Sequence, residues 1–309
     1  AEFNAIKNCI DDLNGSKMYI TLEPCCHHGL TPPCTNIIIK SKIKEVIYSV
    51  ADIDKRVRNK SFKILKANNI KVKKGLFEDK INNFYSSYFF NRKNQLPYVT
   101  GKIAVSKNNL IYSKLDKKIT NKYSDKFTHL LRYKNDALMV SYKTLNKDNS
   151  KLNCRIKGFS NYSPKRIILD NKLQTKINSY VIKTANKDNT IIFYNQADKS
   201  KILDFKKKKI QLIKSKVNEQ GKFDVKAILK KLYSFNCRNL LIEGGDSLTN
   251  HLLKNRIFNK FYLYKSPKNL SKEIEYVKFN SLDVLKKNYK KEFNLKLFLE
   301  KDKITLYKN

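Results

Sequence analysis

The sequence has no tryptophan, two methionines, eight glycines and six prolines in 309 residues, and only 27 acidic side chains stand against 65 basic ones. No Gly-x-Gly-x-x-Gly run occurs among the few glycines, which excludes the usual Rossmann phosphate turn. No apolar run approaches the roughly 20 residues of a membrane-spanning helix, and 30% of the residues are charged. The opening AEFNAIKNCI carries Glu2 and no basic segment, so no secretory leader is expected. Arginine is scarce as well, at 8 of the 65 basic residues.

What is abundant is Lys, Asn, Ile and Tyr, the pattern that an AT-rich genome imposes on any protein. A formal charge of +38 would ordinarily point to nucleic acid or an anionic membrane. Here the excess is lysine spread along nearly every segment, whereas phosphate forks and base edges favour arginine. The charge therefore reads as background, and neither a specific nucleic-acid partner nor a membrane is expected. Apolar residues at 41%, with 18 Tyr and 17 Phe, suffice for folded cores and argue against disorder. The length predicts two domains. Six cysteines without a leader predict a reducing cytoplasm, and Cys25, Cys26 and Cys34 lie close enough together to predict a metal site rather than a disulfide framework.

Along the chain, Ala5, Ile6, Cys9 and Ile10 at helical spacing predict a helix over 1–12. Strands are predicted over 17–22, 45–50 and 70–74, with helices over 34–43, after Pro32-Pro33, and over 60–67. This alternation implies an α/β layer with a largely parallel sheet. An aromatic-rich helix over 77–90 and a polar connector over 91–97 follow, giving a first domain over 1–91 and a second over 97–309. In the second, strands are predicted over 98–105, 137–141, 165–169, 190–194, 239–242, 258–264 and 295–307. Its helices fall over 122–133, 225–235 and 247–254.

Cys25 and Cys34 bracket a loop and a helix start, where the backbone dipole favours thiolates. A catalytic zinc takes three protein ligands and one open position, and zinc deaminases add a non-ligand Glu as proton shuttle, two residues after a His ligand. The order Ala1-Glu2, helix, strand, Pro24-Cys25, Cys34 matches that scheme, except that the His would stand immediately before Ala1. For any one of these residues a buried cysteine or a first-turn acid is the simpler reading; the ordered set favours the metal. His27 and His28 are alternative ligands, or contacts to substrate or to the ligands themselves. Further on, Ile242-Glu243-Gly244-Gly245-Asp246-Ser247 reads as strand, glycine turn and helix start, which offers N–H groups to a phosphate. Taken alone, a structural turn is the stronger reading of that segment.

The stretch YITLEPCCHHGLTPPC (19–34) resembles the deaminase half of the bifunctional riboflavin-biosynthesis deaminase–reductases, in which two cysteine ligands lie nine apart around a Cys-x-His-His-Gly-x-Thr-Pro-Pro-Cys loop. The resemblance extends over essentially the whole chain. It implies a cytidine-deaminase-like α/β/α domain, N-terminally incomplete, followed by a dihydrofolate-reductase-like α/β domain. It also implies Glu2 as proton shuttle, Cys25 and Cys34 as ligands of Zn2+, and NADPH as the second cofactor. The segment 52–59 (DIDKRVRN) stands where the family has Asp-Pro-Asn-Pro. In the reductase half the resemblance implies that Ala104, Lys118, Thr144, Asp148, Asn171 and the run Gly245, Asp246, Ser247, Leu248, Thr249, Asn250 and His251 contact NADPH. It implies that Asp116, Arg132, Leu152, Arg155 and Glu243 contact the ribosyl-phosphate substrate. This chain departs from the family at Asp116, where a Ser is usual, at Lys118, where a Trp is usual, and at Asn171, again for a Ser; Asn108-Asn109 replace Asp-Gly. Two arginines kept at matched positions in a lysine-saturated chain fit bidentate phosphate recognition.

The expectation is thus an enzyme of riboflavin synthesis acting on a small phosphorylated pyrimidine, and assembled as a homo-oligomer. It deaminates 2,5-diamino-6-ribosylamino-4(3H)-pyrimidinone 5′-phosphate and reduces the ribosyl product with NADPH. The rivals are a monofunctional reductase with a degenerate deaminase half, and an RNA-binding or RNA-editing deaminase.

Overall fold

The computed structural model describes residues 1–29, 31–116 and 118–308; Leu30 of the cysteine loop and Asn309 at the end of the expected second domain lie outside the described residues. The chain divides into two compact units, Ala1–Gln95 and Leu96–Asn309. Among the described residues no helix is long and apolar enough to cross a membrane.

In the first unit β1 (Lys17–Leu22), β2 (Glu45–Val50) and β3 (Lys71–Lys74) form a parallel sheet in that order. The crossovers are α2 (Cys34–Lys40) and α3 (Lys60–Ala67), and α1 (Glu2–Lys7) precedes β1. Every position of β2 is buried, as expected of the middle strand of a parallel sheet. Ile38, Ile43, Val46, Leu65 and Ile70 make the core. The helix expected over 1–12 stops at Lys7: Ile10 is 98% exposed and Cys9 is exposed too, so the apolar period past Ile6 finds no surface to pack on. The single helix expected over 77–90 is two, α4 (Glu78–Phe84) and α5 (Ser86–Asn94). At the break, the Tyr85 hydroxyl lies 2.8 Å from Thr21 Oγ1 of β1.

The second unit is built on a nine-stranded sheet. Its strands are β4 (Tyr98–Val105), β6 (Ala137–Ser141), β7 (Lys165–Leu169), β8 (Thr190–Tyr194), β9 (Gln211–Lys214), β10 (Asn239–Ile242), β11 (Lys260–Lys265), β13 (Lys291–Asn294) and β14 (Lys303–Lys308). The order is β13-β14-β11-β4-β10-β6-β7-β8-β9, parallel except for the β13–β14 hairpin at one edge. A separate antiparallel ribbon pairs β5 (Leu110–Ser113) with β12 (Tyr276–Lys278). The helices are α6 (Lys122–Tyr133), α7 (Tyr142–Asp148), α8 (Tyr180–Lys183), α9 (Lys199–Lys207), α10 (Val225–Ser234), α11 (Asp246–Lys254) and α12 (Leu282–Asn288). Strand alternation supplies both faces: Met139, Ile167, Leu240 and Ile242 pack in one core, and Leu138, Val140, Ile168 and Leu241 in the other. Gly101 in β4 permits the closest approach, since a Cβ there would run into the Phe261 ring and stand 2.7 Å from Phe258 Cε1.

Of the strand expected over 295–307 only 303–307 is strand, as part of β14; residues 295–302 instead connect it to β13, with which it forms a hairpin. Asp302, in the turn between them, accepts hydrogen bonds from Asn121 N at 2.8 Å and Ser124 Oγ at 2.7 Å. Because the chain leaves β4, builds outward through β6 to β9, and returns to insert β10 between β4 and β6, a crevice opens beyond the carboxyl ends of these three strands. That is where open α/β sheets bind ligands.

Candidate functional site

A cavity of about 340 Å³ lies at that crevice, with Ala104 from β4, Ser141 at the end of β6 and Glu243 after β10 on its wall. Thr144 and Asp148 of α7 line it, as do Leu152 and the segment from Gly244 to Leu248. Nine residues of the expected site, Ala104, Thr144, Asp148, Leu152, Glu243, Gly245, Asp246, Ser247 and Leu248, therefore meet in one cavity. The glycine turn is tight: a Cβ on Gly244 would stand 3.2 Å from Leu248 Cδ2 and Thr249 Oγ1, and one on Gly245 would stand 3.4 Å from Thr144 Oγ1. Helix α11 begins with no side chain capping its first-turn N–H groups. The Asp246 carboxylate, which could have turned back on them, instead accepts from Asn280 N at 3.0 Å and Ser281 Oγ at 2.7 Å. An uncapped helix start beside a glycine turn suits a phosphate.

Glu243 is clamped by Arg132 of α6: Nε and Nη2 donate to its two carboxylate oxygens, both at 2.8 Å, and Nη1 donates to Asn153 O at 3.1 Å. The pair is nearly buried, with side chains 10% and 14% exposed. Burial pushes the Glu243 carboxyl up, but the charge and hydrogen bonds of Arg132, with Lys102 behind, outweigh it and hold the group down at about 2. Lys102 lines the cavity too, and its Nζ sits 4.7 Å over the Tyr264 ring. Burial lowers its pKa, with Glu243 opposing and Arg132 reinforcing the shift. Sequence reasoning passed over Lys102 because one lysine among so many carries no signal. His129 of α6 is brought down to about 4 by burial and then by the charges of Arg132 and Arg155.

The remaining expected residues stand elsewhere. Asn171 and His251 line a second cavity, of about 160 Å³, that shares Ser141, Lys143, Ser247 and Leu248 with the first. Thr249 is buried under the turn, with Oγ1 3.5 Å from Gly244 O, and Asn250 is half-buried on α11 outside both cavities. Lys118 pairs with Asp125 at 2.5 Å, and the Asp116 carboxylate accepts from Ser271 N at 2.7 Å. Arg155 is exposed; its Nη1 donates to Asn153 Oδ1 at 3.0 Å and its backbone N to His129 Nδ1 at 3.3 Å.

In the first unit, the ends of β1 and the start of α2 bring Cys25 and Cys34 together. Cys34 N donates to Cys25 Sγ at 3.3 Å, and Cys34 Sγ donates to Glu2 Oε2 at 3.4 Å. Burial, the Cys25 thiol and the Glu2 charge push the Cys34 thiol up to about 12. Glu23, just before, is buried; one carboxylate oxygen accepts from Asp52 N at 3.3 Å and Asn59 N at 3.1 Å, which ties the cysteine loop to segment 52–59. Two adjacent thiols with a carboxylate at one of them suit zinc chemically but do not complete a catalytic set of three ligands. Among the described residues no group of three or more His, Cys, Asp or Glu side chains is arranged to hold a metal ion, so neither His27 nor His28 joins the pair.

Comparison with known proteins bears on both units. The family model for the RibD C-terminal domain matches residues 101–286, and the model for the cytidine and deoxycytidylate deaminase zinc-binding region matches residues 1–50. Riboflavin biosynthesis protein RibD of Actinobacillus pleuropneumoniae is 32% identical over 270 residues, covering 87% of this chain and 71% of that protein. Its counterpart in Aquifex aeolicus is 30% identical over 270 residues, covering 87% and 74%. Acinetobacter baumannii RibD shares the fold, with a TM-score of 0.82 at 21% identity over 99% of this chain and 84% of that one. A Thermotoga maritima structure described as a diaminohydroxyphosphoribosylaminopyrimidine deaminase/5-amino-6-(5-phosphoribosylamino)uracil reductase gives 0.79 at 25% identity, over 100% and 83% of the two chains.

Proposed function

The chain belongs to the RibD family of riboflavin-biosynthesis deaminase/reductases, and from that premise we propose how its two units divide the work. The second unit reduces the sugar of 5-amino-6-(5-phosphoribosylamino)uracil with NADPH. The observation that carries this reading is the cavity in which Glu243, the Gly244-Gly245 turn and the open start of α11 meet. The tight glycine turn and the uncapped helix start fit a dinucleotide diphosphate, with Ala104, Thr144 and Asp148 along its length. NADPH, when bound, supplies the hydride for the sugar's C1′. The protein's own task is alignment in a dry cleft. Glu243, held ionised by Arg132, accepts hydrogen bonds from sugar hydroxyls. Lys102, which lines the same cavity and whose charged form is disfavoured by burial, is the proton donor to the ring oxygen that opens. Arg132 thus acts through Glu243, and the exposed Arg155 is left for the substrate phosphate.

The first unit deaminates the diaminopyrimidine precursor, with Cys25 and Cys34 as thiolate ligands of zinc and Glu2 carrying the proton. Zinc, when bound, supplies an activated water. The 3.4 Å contact between Glu2 and Cys34 supports a carboxylate stationed beside the metal position.

The test compares this chain with the same chain carrying a histidine immediately before Ala1, which supplies a third donor. The extended chain is expected to bind stoichiometric zinc and release ammonia, and Cys34→Ser to lose both while NADPH oxidation persists. If neither form takes up zinc, the deaminase assignment falls and the reductase stands alone. If NADPH is not consumed with the deaminated substrate, the reductase assignment falls.

A further inference from the structure

Leu152, on the wall of the first cavity, is buried and has φ +51°, a left-handed conformation that is costly for a bulky residue and persists only where the surroundings enforce it. The next three residues show what enforces it. Asn153 O accepts from Arg132 Nη1 at 3.1 Å. Cys154 N donates to Ser163 Oγ at 3.1 Å, and Cys154 Sγ donates to His129 O at 3.6 Å. Arg155 N donates to His129 Nδ1 at 3.3 Å. The segment is thus fastened to one face of α6, where His129 and Arg132 stand three residues apart. The Arg155 side chain leaves this segment exposed, with Nη1 on Asn153 Oδ1 at 3.0 Å, and among the described residues no carboxylate forms an ion pair with it. Burial first, then the charges of Arg132 on its own helix and Arg155 on the loop, disfavour the His129 cation, and Glu243 after β10 opposes them. At neutral pH the ring is neutral, and a Nδ1 that accepts a hydrogen bond leaves the proton on Nε2. The imidazole is therefore an acceptor aimed at one backbone N–H.

We propose that His129 is a positioning residue of the reductase unit: its Nδ1, by holding the Arg155 amide, sets the stance of the Arg155 guanidinium that receives the substrate's 5′-phosphate. The inference rests on the reductase reading above and adds to it a residue that acts through Arg155. A phosphomonoester carries close to two negative charges at neutral pH. The Arg132 charge is already engaged with Glu243, so the fork of Arg155 is what this segment offers the phosphate. An arginine on a loose loop loses more freedom on binding than one whose backbone is fixed beforehand. Holding the amide therefore shows in affinity for the phosphorylated substrate and not in the hydride step. Asparagine at 129 sets its Oδ1 where Nδ1 stands and keeps the hydrogen bond; leucine fills the space without an acceptor.

The probe is ribose 5-phosphate, titrated by calorimetry into the intact chain and into His129→Leu, His129→Asn, Arg155→Ala and His129→Leu/Arg155→Ala. Arg155→Ala is expected to weaken binding about tenfold, as for loss of a charge-assisted contact, and His129→Leu about fivefold, as for loss of one neutral hydrogen bond. His129→Asn should recover most of that loss. Because His129 acts through Arg155, His129→Leu should add nothing in the Arg155→Ala background. In turnover, His129→Leu should raise KM for the phosphorylated substrate while kcat and KM for NADPH stay within about twofold, which also reports a folded chain. Should His129→Leu not fold, His129→Gln, whose acceptor sits one bond further out, takes its place with the same rise expected. Unchanged binding in His129→Leu would overturn the proposal, as would equal weakening with and without Arg155, or a fall in kcat at constant KM. If Arg155→Ala leaves ribose 5-phosphate binding intact, the phosphate role of Arg155 falls and the proposal with it. A chain that passes the binding test but does not oxidise NADPH refutes the reductase reading and leaves the positioning role standing.

Discussion

Arg132→Gln removes the counter-charge from a carboxylate that is only 14% exposed, and its cost can be worked from the pair itself. Glu243 titrates at about 2 in the folded chain against an ordinary 4.5. At about 1.36 kcal/mol per pH unit, that lowering corresponds to about 3 kcal/mol of stability. A lowered carboxyl pKa contributes fully above the unfolded value, so this stability is present above about pH 4.5 and drains away as pH falls toward 2. In Arg132→Gln burial acts on Glu243 with Lys102 and, more weakly, His129 left to oppose it, and breaking such a pair costs about 3–5 kcal/mol. Urea unfolding followed by tyrosine fluorescence, convenient in a chain without tryptophan, measures the loss at pH 7 and again near pH 3. The variant should be destabilised by about 3 kcal/mol at neutral pH and by much less in acid. Arg132→Gln/Glu243→Gln, which removes both charges, should recover at least half of the loss. A loss below about 1 kcal/mol, or one that does not change with pH, would refute the assignment of Glu243 as a buried, ionised group held by Arg132.

Two further perturbations probe the frame around the site. Arg166 is buried with no carboxylate at its hydrogen bonds, donating to Thr190 Oγ1, Thr184 Oγ1, Thr184 O and Asn189 Oδ1 at 2.7–3.0 Å. Arg166→Leu should cost about 3 kcal/mol in thermal unfolding by stranding those acceptors, and Lys should recover less than half because it lacks the fork. Gly101→Ala should cost about 1–3 kcal/mol by overpacking against Phe258 and Phe261; an unchanged melting temperature would show that the rings have room to move.

The strands were the most legible part of the fold. The runs 98–105, 137–141, 165–169, 190–194 and 239–242 are apolar and short because both faces of the sheet are covered, and they fall within the limits expected. The edges were not legible. β9, β12 and β13 are exposed or half-exposed strands of three or four residues, and their sequences (QLIK, YVK, KEFN) carry no period. Helix ends set by tertiary contact, such as the stop of α1 at Lys7, also left no local mark. At the site, Glu243 and the glycine turn were visible as a motif, and Glu243 and Gly245 are among nine expected residues that come together in one cavity. Pairing was invisible: two residues both read as substrate contacts, Arg132 and Glu243, are 111 positions apart and spend their charges on each other. Lys102, which stands beside Glu243 in the cavity, cannot be told from the rest of the basic background by type.

Hydride transfer to a ribosyl-phosphate substrate in the Glu243 cavity is the reaction proposed for the second unit. The direct measurement is a reaction of the chain with NADPH deuterated at the transferable position and 5-amino-6-(5-phosphoribosylamino)uracil, with the product read by mass spectrometry. One deuterium at C1′ of an opened ribityl chain, lost with Glu243→Gln, is the result predicted. Deuterium retained in the cofactor, or product formed equally by Glu243→Gln, would contradict the claim.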